Sequence, residues 1–144
     1  MIMVDVLTPR QRHYNMTQIK GKNTKPEISL RKIVFSLGYR YRLHLSSLPG
    51  KPDLVFPSRK KVIFLHGCFW HMHGCKYGSV TPQTNIEFWQ KKRTETTLRD
   101  TRNIAELESL EWDVLVVWEC MLKDKIRLEE IIVEFLGRKP VNVL

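Results

Sequence analysis

The sequence predicts an α/β fold, a mixed central sheet with helices flanking it. Three observations carry that expectation. Two short apolar runs, 54–56 and 61–65, stand on either side of a proline-led turn and read as a hairpin. A third run, 112–118, contains Val114, Leu115, Val116 and Val117 in succession and reads as a central strand covered on both faces. Stretches with apolar residues at helical spacing lie before, between and after these runs. At 144 residues, 42% of them hydrophobic, the chain can build one domain with a real core. It shows no internal repeat, low-complexity segment or linker. The expected division is an N-terminal arm or short helix at 1–22 and a single domain at 23–144.

Residues 1–22 are basic and polar, with Arg10, Arg12, His13, Lys20 and Lys22. Only Met16 and Ile19 give this segment an apolar side. It suits either an arm that orders on DNA or a frayed terminus. Thr24, Pro26 and Glu27 then open the first helix. Thr24 can cap, Pro26 fits the first turn, and Glu27 completes a T-x-x-E box. Glu27 thus has a structural task that competes with any catalytic one. Ile28, Ile33, Val34 and Leu37 fall on one face, and Gly38 is placed to end the helix.

Residues 39–45 alternate aromatic or apolar with basic residues, as a strand with one wet face would. A turn at 48–51 leads through Pro52 and Asp53 into the hairpin strands. After a loop at 78–85, a long basic helix is expected over 86–110. Phe88 and Trp89 lie near its start, and Lys91, Lys92, Arg93, Arg99 and Arg102 form a charged middle. Ile104, Leu107 and Leu110 are its core stripe. Asp100 sits among those bases, where an ion pair at helical spacing is its ordinary role. A final helix at 124–136 carries Ile126, Ile131, Ile132, Phe135 and Leu136 as apolar positions, and Gly137 ends it.

Lys and Arg number 24 against 15 Asp and Glu, a net charge of +9, which favours a polyanionic partner, nucleic acid first. No run approaches the ~20 apolar residues of a membrane span. Residues 1–7 are too short for a secretory signal, so a cytoplasmic protein is expected.

The chemistry concentrates in the thirteen residues 63–75, which hold three histidines and two of the three cysteines. Cys68, His73 and Cys75 offer three zinc ligands at tight spacing, and Cys120, at the end of the last strand, could supply the fourth. The alternative is three thiols packed as small apolar groups. An odd cysteine count argues against a disulfide framework. Phe69 and Trp70 could cover such a metal site, or wedge between base pairs from a stiff loop. Asp53 is either a turn residue or a metal ligand. The hairpin brings it toward Leu65 and His66, and a carboxylate meeting imidazoles at one sheet edge suits a hydrolytic metal centre.

These residues carry a resemblance. Residues 24–30, the turn Leu48-Pro49-Gly50-Lys51-Pro52-Asp53, the run His66-Gly67-Cys68-Phe69-Trp70-His71 with His73 and Cys75, Glu87-Phe88-Trp89, Arg99-Asp100 and Val117-Trp118-Glu119-Cys120 agree in order and spacing with one family. The sequence resembles the very short patch repair endonucleases, bacterial mismatch nickases of the restriction-endonuclease-like PD-(D/E)XK superfamily. The resemblance implies structural zinc on Cys68, His73, Cys75 and Cys120. It implies catalytic magnesium on Asp53 and on the main-chain carbonyl of Leu65, where the family leads one to expect threonine. His71 matches the histidine that activates water, Asp100 the carboxylate that orients it, and Glu27 and His66 further active-site residues. Phe69, Trp70 and Trp89 match aromatics that enter the DNA beside the mismatch, and Met16 a residue that intercalates from the other groove.

The implied activity is a nick 5′ to the thymine of a T·G mismatch, in repair of deaminated 5-methylcytosine. The implied partners are double-stranded mismatched DNA and mismatch repair proteins, with the enzyme a monomer. Two alternatives stand beside it. One is a zinc-stabilised DNA-binding module without catalysis. The other is a restriction- or defence-type nuclease of the same fold with a different target, for which Leu65 leaves room.

Overall fold

The computed structural model describes residues 24–76, 78–79 and 83–137. The expected arm at 1–22, Met16 included, lies outside them. Among the described residues, three α-helices and four strands follow one another as α1 (Lys25–Ser36), β1 (Arg42–Leu43), β2 (Leu54–Phe56), β3 (Lys61–His66), α2 (Ile86–Ser109), β4 (Asp113–Trp118) and α3 (Lys125–Leu136). The sheet order is β1-β2-β3-β4. The first two pairings are antiparallel, and β3 runs parallel to β4 across the α2 crossover.

Side-chain alternation divides the core between the two faces of this sheet. Leu54, Phe56, Ile63 and Val117 face α1 and α3, where they meet Leu30, Ile33, Val34, Leu128, Ile132 and Leu136. Val55, Val62 and Phe64 face α2 through Leu107, with Ile104, Trp112, Val114 and Val116 packed around them. The hairpin register Leu54↔Ile63 sets this arrangement, because a one-residue slip would turn every side chain to the wrong layer.

The sequence places four details differently. β1 is only two residues long, not 39–45, because Tyr39 turns into the core and His44 takes a left-handed φ of 46° that breaks the strand. In α1 the buried stripe is Glu27, Leu30, Ile33 and Val34, and Ile28 is exposed. Spacing rather than apolar character decides which face turns inward. For the same reason Leu128, Ile132 and Leu136 form the inner face of α3 while Ile126 faces water, and Leu110, past the end of α2, is exposed. Among the described residues β4 pairs with β3 alone, so it is an edge strand and not a central one. Its apolar run reflects side chains that pack into both layers, Val114 and Val116 on one side and Leu115 and Val117 on the other.

Candidate active site and metal centre

Two polar centres form where β3 ends. The first gathers around Asp53. The antiparallel register places Asp53 one step before Leu54 and beside the far end of β3, and its Oδ2 accepts the Leu65 N–H at 2.7 Å. Burial pushes the Asp53 carboxyl up to about 7; the Leu65 N–H opposes the rise and the Glu27 carboxyl adds to it. Glu27 performs its capping task and faces this centre as well. Its Oε1 accepts the Thr24 N–H at 2.9 Å, while its Oε2 lies 3.3 Å from His44 Nε2. Burial raises the Glu27 pKa, but the Thr24 N–H, Asp53 and His44 outweigh that and leave it below the usual carboxylate range. Where the two carboxyls meet, the proton therefore resides on Asp53.

Across the same cavity, of about 720 Å³, stand His66, His71 and Asp100. His71 Nδ1 hydrogen-bonds Asp100 Oδ2. A carboxylate can only accept, so Nδ1 carries the hydrogen, and in the neutral ring Nε2 then presents a lone pair. Asp100 thus serves the imidazoles rather than a helical ion pair. His66 stacks on His71 with centroids 3.9 Å apart, and its Nδ1 is 3.8 Å from Asp100 Oδ2. Burial first, and the neighbouring His71 second, push His66 down to about 4, so it is neutral at pH 7. Asp53 and Leu65 also line a second cavity of about 370 Å³ that reaches Trp70.

The second centre is rich in sulfur. Ligand atoms of Cys68, His73, Cys75 and Cys120 all lie within 4.8 Å of one another. A tight turn after Gly67 brings them together, through His71 N–H to Gly67 O at 3.1 Å and His73 N–H to Cys68 O at 2.9 Å. Cys120 arrives on the turn after β4, and its N–H points at Cys68 Sγ, 3.4 Å away. The His73 ring stacks on Trp118 at 4.2 Å. Burial, together with the crowding of Cys120 and Cys75, pushes the Cys68 thiol up to about 12. A thiol placed as Cys68 is keeps its proton at neutral pH, and three sulfurs with one imidazole are the donor set of a soft cation. The group fits a bound metal.

Phe69, Trp70 and Trp89 form an aromatic cluster with ring centroids 5.3–5.9 Å apart. Trp70 is 39% exposed, so the cluster opens to solvent rather than closing into the core. Two participants escape the sequence reading. His44 reads as an ordinary wet-face strand residue, yet the pairing Leu43↔Leu54 places it next to Asp53. Arg93 reads as part of a solvated basic face, and it is buried instead.

Comparison with known proteins then decides the family. The family model DNA mismatch endonuclease Vsr matches residues 4–77. The Escherichia coli DNA mismatch endonuclease Vsr is 41% identical over 128 residues, 89% of this chain and 81% of the relative. The chain belongs to the Vsr family. A type II nicking enzyme of Xanthomonas oryzae is 48% identical over 88% of this chain and 93% of its own length. Another, from Neisseria meningitidis, is 45% identical over 85% and 87%. As a Vsr endonuclease the protein acts on DNA in mismatch repair, which accords with its net charge of +9. No helix among the described residues is long and apolar enough to cross a membrane.

Proposed function

We propose that this Vsr-family enzyme nicks one DNA strand 5′ to the thymine of a T·G mismatch, in repair of deaminated 5-methylcytosine, on a restriction-endonuclease-like scaffold. One arrangement carries the reading: the cavity that holds Asp53 and the His71–Asp100 pair adjoins the cavity that reaches Trp70. A cutting centre beside an exposed aromatic cluster suits an enzyme that cuts next to a weak point in the base stack. The nicking enzymes among the relatives support cleavage of a single strand.

Magnesium held by Asp53 and the Leu65 main-chain carbonyl would supply positive charge against the phosphate and lower the pKa of a bound water. His71 takes the proton of the attacking water on Nε2, the nitrogen that its bond to Asp100 leaves free. Asp100 fixes the ring and stabilises the imidazolium that forms. Neutral His66 stacks on that ring and limits its tilt. Glu27 holds the Asp53 side of the cleft while it caps α1. Zinc on Cys68, His73, Cys75 and Cys120 would brace the loop that bears His71, Phe69 and Trp70. Phe69, Trp70 and Trp89, with Met16 from the arm, open the stack, which costs less at a mismatch than in paired DNA. The partner is mismatched double-stranded DNA, engaged by a monomer, with mismatch repair proteins downstream.

The test is strand-resolved cleavage with magnesium on a duplex bearing one T·G pair in several flanking contexts, against matched T·A and C·G duplexes. A single nick beside the thymine, absent from the controls, is the expected result. Equal cutting of matched DNA would replace it with a restriction-type nuclease.

A further inference from the structure

Of Lys91, Lys92, Arg93, Arg99 and Arg102, only Arg93 is buried, at 6% exposure. Its Nε donates to the Phe69 carbonyl at 2.7 Å, and its Nη2 donates to the Gly78 carbonyl. The guanidinium carbon lies 4.3 Å from the centre of the Phe69 ring. Both carbonyls belong to the loop between β3 and α2, one before His73 and Cys75 and one after. Gly78 rests directly on that loop: a Cβ there would stand 2.0 Å from the His73 carbonyl oxygen and 2.7 Å from that of Cys68. Arg93 therefore ties the two limbs of the loop to α2 at points that are not metal ligands.

An apolar side chain could fill the same space without the cost of burying a cation, and burial does hold the Arg93 pKa below its ordinary value. What a guanidinium adds is direction: a planar fork gripping two carbonyls while its face covers a ring. The ring it covers is Phe69, which contacts Trp70 and Trp89. An aromatic wedge discriminates only if it cannot fold away when it meets the stack. A slack wedge lets the basic surface hold matched and mismatched DNA alike through the phosphates.

We infer that Arg93 is a positioning residue for mismatch recognition, holding the segment of Phe69 and Trp70 in its DNA-entering conformation. This rests on the proposed role of Phe69, Trp70 and Trp89.

The test uses the full-length, metal-loaded protein and two duplexes, one with a T·G pair and one with T·A. Affinity for each is measured at fixed salt, and 2-aminopurine beside the mismatch reports unstacking. Arg93→Met should lower the T·G over T·A affinity ratio about tenfold and suppress the 2-aminopurine rise, with zinc content retained. Arg93→Lys, which keeps the charge and one donor, should lower the ratio about threefold. An unchanged ratio in Arg93→Met, or equal losses on both duplexes, overturns the inference and leaves Arg93 a structural residue. Should Arg93→Met not fold, an unchanged ratio in Arg93→Lys overturns it equally. Phe69→Ala separates the two levels. If it leaves the ratio intact, the wedge itself is wrong and the inference falls with it. If it collapses the ratio while Arg93→Met does not, only the inference falls.

Discussion

The two centres meet at the end of β3, where His71 of one lies in the chain between Cys68 and His73 of the other, and burial acts on both in the same sense. It pushes Cys68 up to about 12 and Asp53 up to about 7. What differs is the starting point, an ordinary value of 9.0 for the thiol and 3.8 for the carboxyl. A thiol at about 12 keeps its proton at neutral pH unless a strongly bound soft cation displaces it. A carboxyl at about 7 is half ionised there, so a weakly bound hard cation can compete. The proposed division between a structural metal at one centre and an exchangeable catalytic one at the other rests on this contrast.

The sharpest way to break that contrast is to remove a sulfur. Cys120→Ser should release the structural metal and lower Tm by about 10 °C or more, as read by metal analysis and thermal melts. Undiminished metal stoichiometry would remove Cys120 from the ligand set. Asp53→Asn should do the reverse, cutting the nicking rate about a thousandfold while metal at the cysteines and Tm hold. Near-normal nicking would detach Asp53 from catalysis. His71→Ala should slow single-turnover nicking about a hundredfold, and a rate within a few fold of the parent would assign the base elsewhere.

The proton traps predict a pH response in metal-free protein. Asp53 holds its proton up to about 7 when folded, but loses it near 3.8 when unfolded. Its contribution to stability therefore falls as pH rises between those values. His66 works the other way. Unfolded, it binds a proton near 6.5, whereas folded it waits until about 4, so stability falls as pH drops through that window. Magnesium held by Asp53 would displace the carboxyl proton, so its Tm increment should grow from pH 6 to pH 8; a flat increment would place the ion away from Asp53. The smallest effect is expected at Leu65→Thr, within about twofold in rate, because a main-chain carbonyl survives the exchange.

The hairpin, the capping box and the Cys68, His73 and Cys75 part of the ligand group are legible in the sequence because each depends on local spacing, whereas Cys120 joins them only through the fold. Asp53 follows from the hairpin, since register alone carries it to Leu65. His44 and the burial of Arg93 are not legible. Both depend on how an aperiodic segment packs against another element, and neither residue announces this by type. The edge position of β4 is hidden for a related reason, because a strand that feeds two layers looks as apolar as one paired on both sides.

The Asp53 and Leu65 walls of the cleft reach Trp70 through one shared pocket. Leu65 and Trp70 lie on one short, tightly turned piece of chain. Under the proposed function that piece would act as a ruler. If cutting occurs at one end and stack opening at the other, the offset between nick and mispair is set by backbone geometry and stays constant whatever bases surround it. Flanking-sequence preference can then change through residues outside this stretch without moving the cut.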